Sequence, residues 1–267
     1  MARESKMKKF MTDVALLSVT TTEFNAVLHF HDWKAKTLPN DEQIYDVASF
    51  ERDGRTCSLV HAKISEMGMT AAAATAAKVI YTWRPRYIIM VGIAAGISKS
   101  DLEEQMYGDV IVPDVVWNYS AGKFVSPEKA RIVYGDIGFL PRSTTETIPE
   151  EIVPYLRRAV DSPDNPCHAY IGPMACGSTV VASRELLEKQ IYSQYNHTAG
   201  LDMESYAVVF AANHASDPKP TPIIAKSVCD FADNKKSDEY QRFAAYSSCE
   251  FAKFLYEKIL PMGEDEE

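Results

Sequence analysis

Residues 87–91, Tyr-Ile-Ile-Met-Val, constrain the fold of this 267-residue chain more than any other stretch. The run is apolar throughout and does not alternate with polar residues, which is typical of a strand buried on both faces. Residues 92–96, Gly-Ile-Ala-Ala-Gly, follow directly and predict a turn where backbone N–H groups approach a ligand closely. This turn lacks the glycine spacing of a dinucleotide-binding loop and of a P-loop.

Further apolar runs alternate with segments of helical spacing. Residues 14–19 and 222–225 predict short buried strands, whereas residues 69–80 and 240–259 predict helices. Alternating strands and helices favour a largely parallel or mixed sheet that helices cover on both faces. The sequence therefore predicts the α/β class.

The less regular stretches define the predicted domain organisation. Residues 32–56 predict a loop that leads into short strands, and residues 118–148 predict a long excursion over the surface. We expect one domain over residues 13–261, because 46% of the chain is hydrophobic and its length suits a single core. A flexible N-terminal tail over residues 1–12 and an acidic tail over 262–267 flank that domain.

Composition excludes several classes of protein. A net charge of -9 is the opposite of what nucleic-acid binding requires. The apolar runs fall short of the roughly 20 residues that span a bilayer, and the N-terminus is a poor secretory signal. Five cysteines show no metal-ligand spacing, and His29 and His31 lack a third ligand nearby. We therefore expect a cytoplasmic protein without a metal and without membrane or nucleic-acid partners.

Acidic residues occur where apolar segments begin or end. Glu23 follows the first predicted strand, Asp202 and Glu204 precede an apolar helix, and Asp230 and Asp233 follow residues 222–225. Ligands of open α/β sheets bind outside the carboxyl ends of the strands, so carboxylates in this zone are well placed for chemistry. Each also has a structural alternative, since acids favour the first turn of a helix and aspartates cap turns.

Four motifs, at residues 90–96, 108–112, 201–205 and 229–233, carry a resemblance to a known family. In order and spacing, they resemble the purine nucleoside phosphorylase/nucleosidase superfamily, and most closely its methylthioadenosine/S-adenosylhomocysteine nucleosidase-like members. The resemblance implies a three-layer α/β/α sandwich around a mixed, mostly parallel sheet. It also implies cleavage of an N-glycosidic bond without a cofactor, and a homodimer or larger homo-oligomer.

The resemblance assigns the chemical roles residue by residue. Asp230 matches the acid that protonates the purine N7, and Glu23 matches the acid that activates the attacking water. Glu204 matches the carboxylate that binds the ribose hydroxyls, with Met203 against the sugar. An acid on one side of the bond and a base on the other follows the logic of inverting glycoside hydrolysis.

The remaining matched residues surround the sugar and the base. Ala95 matches a residue near the ribose, whereas Val180 and Val181 match the segment that flanks the base and reads its edge through the backbone. Cys229 takes the place of a serine that contacts the base. Tyr240 matches an aromatic residue that closes over the ligand.

Departures from the family pattern bear on the nucleophile and the substrate. Residues 18–23 contain no arginine, and Ile93 replaces a hydroxyl residue, so two sources of phosphate ligands are missing and hydrolysis is favoured over phosphorolysis. Lys226 stands where arginine is usual, and Val180 where phenylalanine is common. The 5′ group stays open between methylthio, homocysteinyl, a free hydroxyl and the phosphates of AMP or ATP. The alternatives are a phosphorylase and a non-catalytic nucleoside sensor.

Overall fold

The computed structural model describes residues 10–97, 105–232 and 238–263. The strands in this part of the chain are β1 (Thr12–Ser18), β2 (Lys34–Leu38), β3 (Asp41–Arg52), β4 (Arg55–Lys63), β5 (Pro85–Gly96), β6 (Val110–Val112), β7 (Val115–Asn118), β8 (Gly122–Val125), β9 (Ile132–Tyr134), β10 (Ile137–Pro141), β11 (Thr144–Thr147), β12 (Ala169–Ile171), β13 (Met174–Cys176), β14 (Gly200–Asp202) and β15 (Thr221–Asp230). The α-helices are α1 (Thr21–Leu28), α2 (Met69–Trp83), α3 (Val153–Val160), α4 (Arg184–Leu186), α5 (Ser205–Asn213) and α6 (Gln241–Phe254). A 3-10 turn covers Pro127–Lys129, and π-helical turns cover Leu187–Tyr192 and Leu255–Ile259.

A mixed sheet forms the middle of the molecule, as the sequence predicts. At its centre β5 pairs in parallel with both β1 and β15, and β1 pairs in parallel with β4. Antiparallel pairs lie further out, where β3 joins β4 and β6 joins β15. The carboxyl ends of β1, β5 and β15 point the same way, which is the arrangement that creates a ligand site in open α/β folds.

Helices cover the sheet in two layers, which confirms the predicted three-layer sandwich. Helices α1 and α6 pack against each other and on β5, whereas α2 packs with α5, and both of these also contact β5. Strand β1 is buried at all seven positions, and β15 is buried from its second residue to its last. Because helices cover these strands on both sides, residues 14–19 and 222–225 are apolar without alternation.

The junction between β1 and α1 forms a capping box. The Thr20 hydroxyl accepts a hydrogen bond from the Glu23 amide at 3.1 Å, and the Glu23 carboxylate accepts one from the Thr20 amide at 2.8 Å. This reciprocal pair satisfies two of the donors that a helix start leaves free. The cap also holds Glu23 at the carboxyl end of β1.

Two predicted irregular regions contain more strand than expected. The loop expected within residues 32–56 is wrong, because β2 and β3 form a hairpin and residues 45–52 of β3 pair with β4. The four exposed β3 residues, three of which are polar, are Glu42, Ile44, Ser49 and Glu51. The excursion at residues 118–148 contains a small sheet, β8-β10-β9, and strand β11, which pairs with β7.

The predicted turn at residues 92–96 is wrong as well. These residues continue β5, since Gly92 pairs with Lys226 of β15 and Gly96 pairs with Gly200 of β14. Hydrogen bonding to partners distant in sequence overrides the local turn preference of glycine. The approach of a backbone N–H does occur here, although its acceptor is a protein carboxylate.

Some predictions stay open. Asp233 and most of both tails lie outside the described residues, so the division into tail, domain and tail remains a prediction. Within residues 10–97, 105–232 and 238–263, no helix combines the length and apolarity needed to span a membrane.

Candidate active site

One cleft brings together eight of the predicted site residues. It lies at the carboxyl ends of β1, β5 and β15 and contains a cavity of about 150 Å³. The predicted residues that line it are Glu23, Ala95, Val180, Val181, Met203, Glu204, Cys229 and Asp230.

Glu23 is held by backbone donors from two elements. One carboxylate oxygen accepts the amides of Val19 and Thr20, both at 2.8 Å, and the other accepts the Ile93 amide at 2.8 Å. The side chain is only 1% exposed. The helix-capping role and a role in the cleft therefore coexist in this residue. Because each carboxylate oxygen has more than one lone pair, the group can still accept a proton from a ligand.

Gly92 makes room for that carboxylate. A Cβ at this position would lie 2.0 Å from the Glu23 Oε1 atom and 3.0 Å from the Lys226 Nζ atom. Its φ of +142° is also a conformation that residues with side chains rarely adopt. Glycine is therefore required here for the carboxylate to reach the β5 backbone.

Asp230 ends β15 at an irregularity of the ladder. Val228 pairs with Ala94 and Asp230 pairs with Ala95, so Cys229 is an extra residue in a β-bulge. Bulges commonly occur beside active sites, where they redirect a side chain. The Asp230 carboxylate accepts the Ala232 amide at 2.9 Å and the Cys229 thiol at 3.5 Å. The Asp230 side chain therefore caps a turn and also lines the cleft.

Glu204 lies between β14 and α5, where it contacts the start of another helix. Its Oε1 atom accepts the Gly68 amide at 2.8 Å, and Gly68 immediately precedes α2. Burial raises the pKa of Glu204 to about 7, although the nearby Lys226 ammonium acts in the opposite direction. Its carboxyl group therefore changes protonation state near neutral pH.

Lys226 is a site feature to which the sequence analysis assigned no role. Its Nζ atom lies 3.7 Å from Glu23, 3.8 Å from Asp202 and 3.8 Å from Glu204. Burial lowers the pKa of this ammonium, but the three carboxylates outweigh burial and raise it. The sequence signal for this feature was a lysine directly after the apolar run 222–225.

Asp202 also lines the cleft, although it was not among the predicted site residues. It accepts the Ser205 amide at 3.0 Å and also the Ser205 hydroxyl, which satisfies donors at the start of α5. Its position two residues before Glu204 was the sequence signal. This cap holds the short segment between β14 and α5, from which Met203 and Glu204 line the cleft.

The opposite end of the cleft is more open and apolar. Val180 is half exposed, whereas Val181 is buried in a cluster with Trp117 and Leu201. The Tyr119 hydroxyl donates to the Thr179 carbonyl oxygen at 2.7 Å and so anchors this segment.

Tyr240 does not line the cleft. Its ring stacks on Tyr107 at 3.9 Å between centroids, and the next residue, Gln241, is the one that lines the cleft.

The ionisable groups that line the cleft are acidic. Its described lining includes the four carboxylates of Glu23, Asp202, Glu204 and Asp230 and contains no lysine or arginine. The buried Lys226 ammonium lies behind Glu23 and Glu204 and is surrounded by acids. The cleft therefore suits a ligand that presents hydroxyl groups and developing positive charge. Further lining residues, to which the sequence patterns assigned no role in binding or catalysis, are Val19, Thr20, Met67, Ile93, Ala94, Thr179, Leu201, Asp202 and Gln241.

The chain is an α/β protein with an acidic cleft at the carboxyl ends of its central strands. The family model described as the Phosphorylase superfamily matches residues 13–259. The chain belongs to that superfamily, as its four motifs predict.

Curated relatives extend beyond this chain. The uncharacterized protein y4jS of Sinorhizobium fredii is 30% identical over 256 residues, which cover 92% of this chain and 60% of that protein. A death domain-containing ATP nucleosidase of Amphimedon queenslandica is 28% identical over 200 residues, which cover 70% of this chain and 36% of that protein. This chain thus matches less than two thirds of the length of either relative.

A solved structure shares the fold. The S-adenosylhomocysteine nucleosidase of Streptococcus pyogenes, determined in complex with 5-methylthiotubericidin, superposes with a TM-score of 0.73 at 17% identity. The match covers 94% of this chain and 98% of that one.

Proposed function

We propose that this chain is a purine nucleosidase that hydrolyses the N-glycosidic bond of an adenosine-type nucleoside or nucleotide to free base and sugar. One observation carries the proposal: Glu23, Glu204 and Asp230 enter a single cleft from three separate elements. A protein that only binds a nucleoside has no need for an acid and a base in addition to a ribose ligand.

Asp230 is the proposed general acid. A purine anion is a poor leaving group, so protonation at N7 assists departure as the C1′–N9 bond breaks. The electron pair of that bond passes to the base, and the proton comes from the carboxyl group of Asp230. The Ala232 amide orients this group, and a positioned general acid typically contributes about 10² to 10⁴ in rate.

Glu23 is the proposed general base. As positive charge develops on the sugar, water forms a bond to C1′ and transfers a proton to the Glu23 carboxylate. The amides of Val19, Thr20 and Ile93 hold that carboxylate in one orientation. A fixed orientation lowers the entropic cost of reaching the transition state. The products are the neutral base and the free sugar, so atoms and charge balance.

Glu204 is the proposed ligand of the ribose hydroxyls. The Gly68 amide occupies one of its oxygens, which leaves the other for the sugar. Met203 and Ala95 contribute apolar contacts to the ribose, while Val180, Val181 and Cys229 border the base. These assignments rest on the cleft lining together with the family resemblance.

Water is the proposed nucleophile rather than phosphate. A phosphate dianion needs cationic or N–H ligands, and the described lining of the cleft contains no arginine or lysine. The Lys226 ammonium is already surrounded by three carboxylates.

The relatives support N-glycosidic hydrolysis while differing in substrate. One is named an ATP nucleosidase, and the structural neighbour is an S-adenosylhomocysteine nucleosidase. We therefore propose a substrate with an adenine base. Its 5′ group is methylthio, homocysteinyl, a hydroxyl or one or more phosphates.

The proposed setting is the cytoplasm, and the proposed assembly is a homodimer or larger homo-oligomer. All five cysteines are free thiols, four of them buried, which suits a reducing compartment. The proposed reaction uses a small-molecule purine nucleoside or nucleotide and no cofactor.

Chromatographic detection of free base tests the proposal. The protein is incubated with methylthioadenosine, S-adenosylhomocysteine, adenosine, inosine, AMP and ATP, each with and without phosphate. Adenine release without phosphate supports a nucleosidase, and the best substrate identifies the 5′ group. Release only with phosphate, together with a sugar 1-phosphate, indicates a phosphorylase. Binding of these compounds without any release indicates a sensor.

A further inference from the structure

A single buried ammonium joins three carboxylates that come from two separate parts of the chain. Lys226 projects from β15, Glu23 from α1, Asp202 from the end of β14 and Glu204 from the residue before α5. The Nζ atom is nearly equidistant from the three, at 3.7, 3.8 and 3.8 Å. The lysine side chain and the side chains of Glu23 and Asp202 are almost fully buried.

These distances exceed the range of a hydrogen bond between nitrogen and oxygen. The ammonium therefore attracts all three carboxylates without occupying the lone pairs through which Glu23 and Glu204 can bind a ligand. A compact point charge suits this geometry, whereas a planar guanidinium favours a paired contact with one carboxylate. Electrostatic attraction acts strongly here because the cluster is shielded from water.

We propose that Lys226 is a positioning residue, whose ammonium holds the water-activating Glu23 and the ribose-binding Glu204 at a fixed separation. This inference rests on the proposed hydrolysis. The two carboxylates repel each other in a buried site, and the charge between them opposes that repulsion. Removing the ammonium leaves buried acids without compensation, and they either take up protons or move apart.

The first test measures thermal unfolding of Lys226→Met, Lys226→Arg and wild type from pH 5 to pH 8. The Lys226 ammonium lowers the pKa of Glu204, so without it that pKa rises further and the folded variant binds more protons than folded wild type in this range. Its stability relative to wild type must therefore fall as pH increases. The neighbouring thiols of Cys176 and Cys249 have pKa values raised by burial and stay neutral in this range.

Two variants make the unfolding test specific. Lys226→Arg retains the positive charge and is expected to restore most of the wild-type pH dependence. Lys78→Met removes a surface ammonium that pairs with Asp41 at 2.9 Å, and it should lower stability little at any pH. A constant difference between Lys226→Met and wild type across the pH range overturns the proposed electrostatic role.

The second test separates kcat from KM on the best substrate. We expect Lys226→Met to lower kcat about 100-fold, the scale of a reacting group displaced by about 1 Å, and also to raise KM. Lys226→Arg should recover at least a tenth of wild-type kcat, and Lys78→Met should match wild type. Wild-type kinetics in Lys226→Met overturn the positioning role while the proposed function stands. No base release by wild type overturns the proposed function itself, and the positioning role with it.

Discussion

The Ile93 amide donates a 2.8 Å hydrogen bond to the Glu23 carboxylate across 70 residues of sequence. This bond joins the first helix to the central strand of the sheet. It exists because the preceding residue, Gly92, has no side chain where the carboxylate lies. The position of the proposed base therefore depends on the backbone of β5 as much as on its own helix.

Gly92→Ala is expected to abolish most turnover by displacing Glu23. Its new Cβ would lie 2.0 Å from the Glu23 Oε1 atom, so the carboxylate or the strand must move. We expect a loss of about 1 to 3 kcal/mol in the free energy of unfolding from this overpacking. Base release and thermal unfolding measure the two effects.

Gly54→Ala is the matched control for that substitution. Gly54 also has a positive φ, +79°, but a Cβ there would meet nothing within 4 Å. The control therefore reproduces backbone strain without a clash at the cleft. Equal catalytic losses in the two variants would contradict the proposed role of the Gly92 backbone.

Asp230→Asn is expected to leave a folded protein that binds nucleoside and barely releases base. The amide cannot supply a proton to N7, so kcat should fall by about 10² to 10⁴ while affinity changes little. Calorimetric binding and chromatographic base release test the two halves of this expectation. Asp136→Asn changes an exposed acid between β9 and β10 and serves as the control. Near-normal turnover by Asp230→Asn would rule out Asp230 as the acid.

Glu23→Gln is expected to stop hydrolysis and to weaken the fold. Glutamine has an amide nitrogen in place of one of the two carboxylate oxygens, and that nitrogen cannot accept a hydrogen bond. It must face either the Ile93 amide or the amides of Val19 and Thr20, so at least one buried donor loses its partner. Such a loss costs about 1 to 3 kcal/mol.

Thermal unfolding and base release measure these two effects of Glu23→Gln separately. The exposed Glu42→Gln provides the control. Unchanged hydrolysis would show that another group accepts the proton from water.

The pH dependence of kcat/KM is expected to report Glu204. Its pKa is raised by burial to about 7, so the ionised form that accepts ribose hydroxyl protons is lost as pH falls below that value. We expect kcat/KM to increase with pH through about 7 and then level off. Glu204→Gln should lower kcat/KM and remove this inflection. An inflection near pH 7 that persists in Glu204→Gln would assign it to a different group.

Local sequence was sufficient for the elements whose burial is uniform. Strand β1 and the first part of β5 are apolar without alternation because helices cover them on both sides. The start of α1 is equally local, since Thr20 and Glu23 lie three residues apart in a capping box. Such features need no knowledge of distant partners.

Other elements depend on partners that the local sequence does not reveal. Strand β3 forms because β4 pairs with its residues 45–52, and its exposed positions tolerate charged residues. Residues 92–96 stay extended because β15 and β14 pair with them. A glycine-rich run does not indicate by itself whether such partners exist.

The amino-acid sequence alone determined the α/β class and the residue types available for chemistry. It placed Glu23, Glu204 and Asp230 beside the ends of predicted apolar segments, where sheet geometry gathers side chains. Tertiary structure alone decided that the Lys226 ammonium lies among three carboxylates and that the Gly68 amide reaches Glu204 across 136 residues. The physical reason is that charge and hydrogen bonding act through space, while a sequence pattern records only neighbours along the chain.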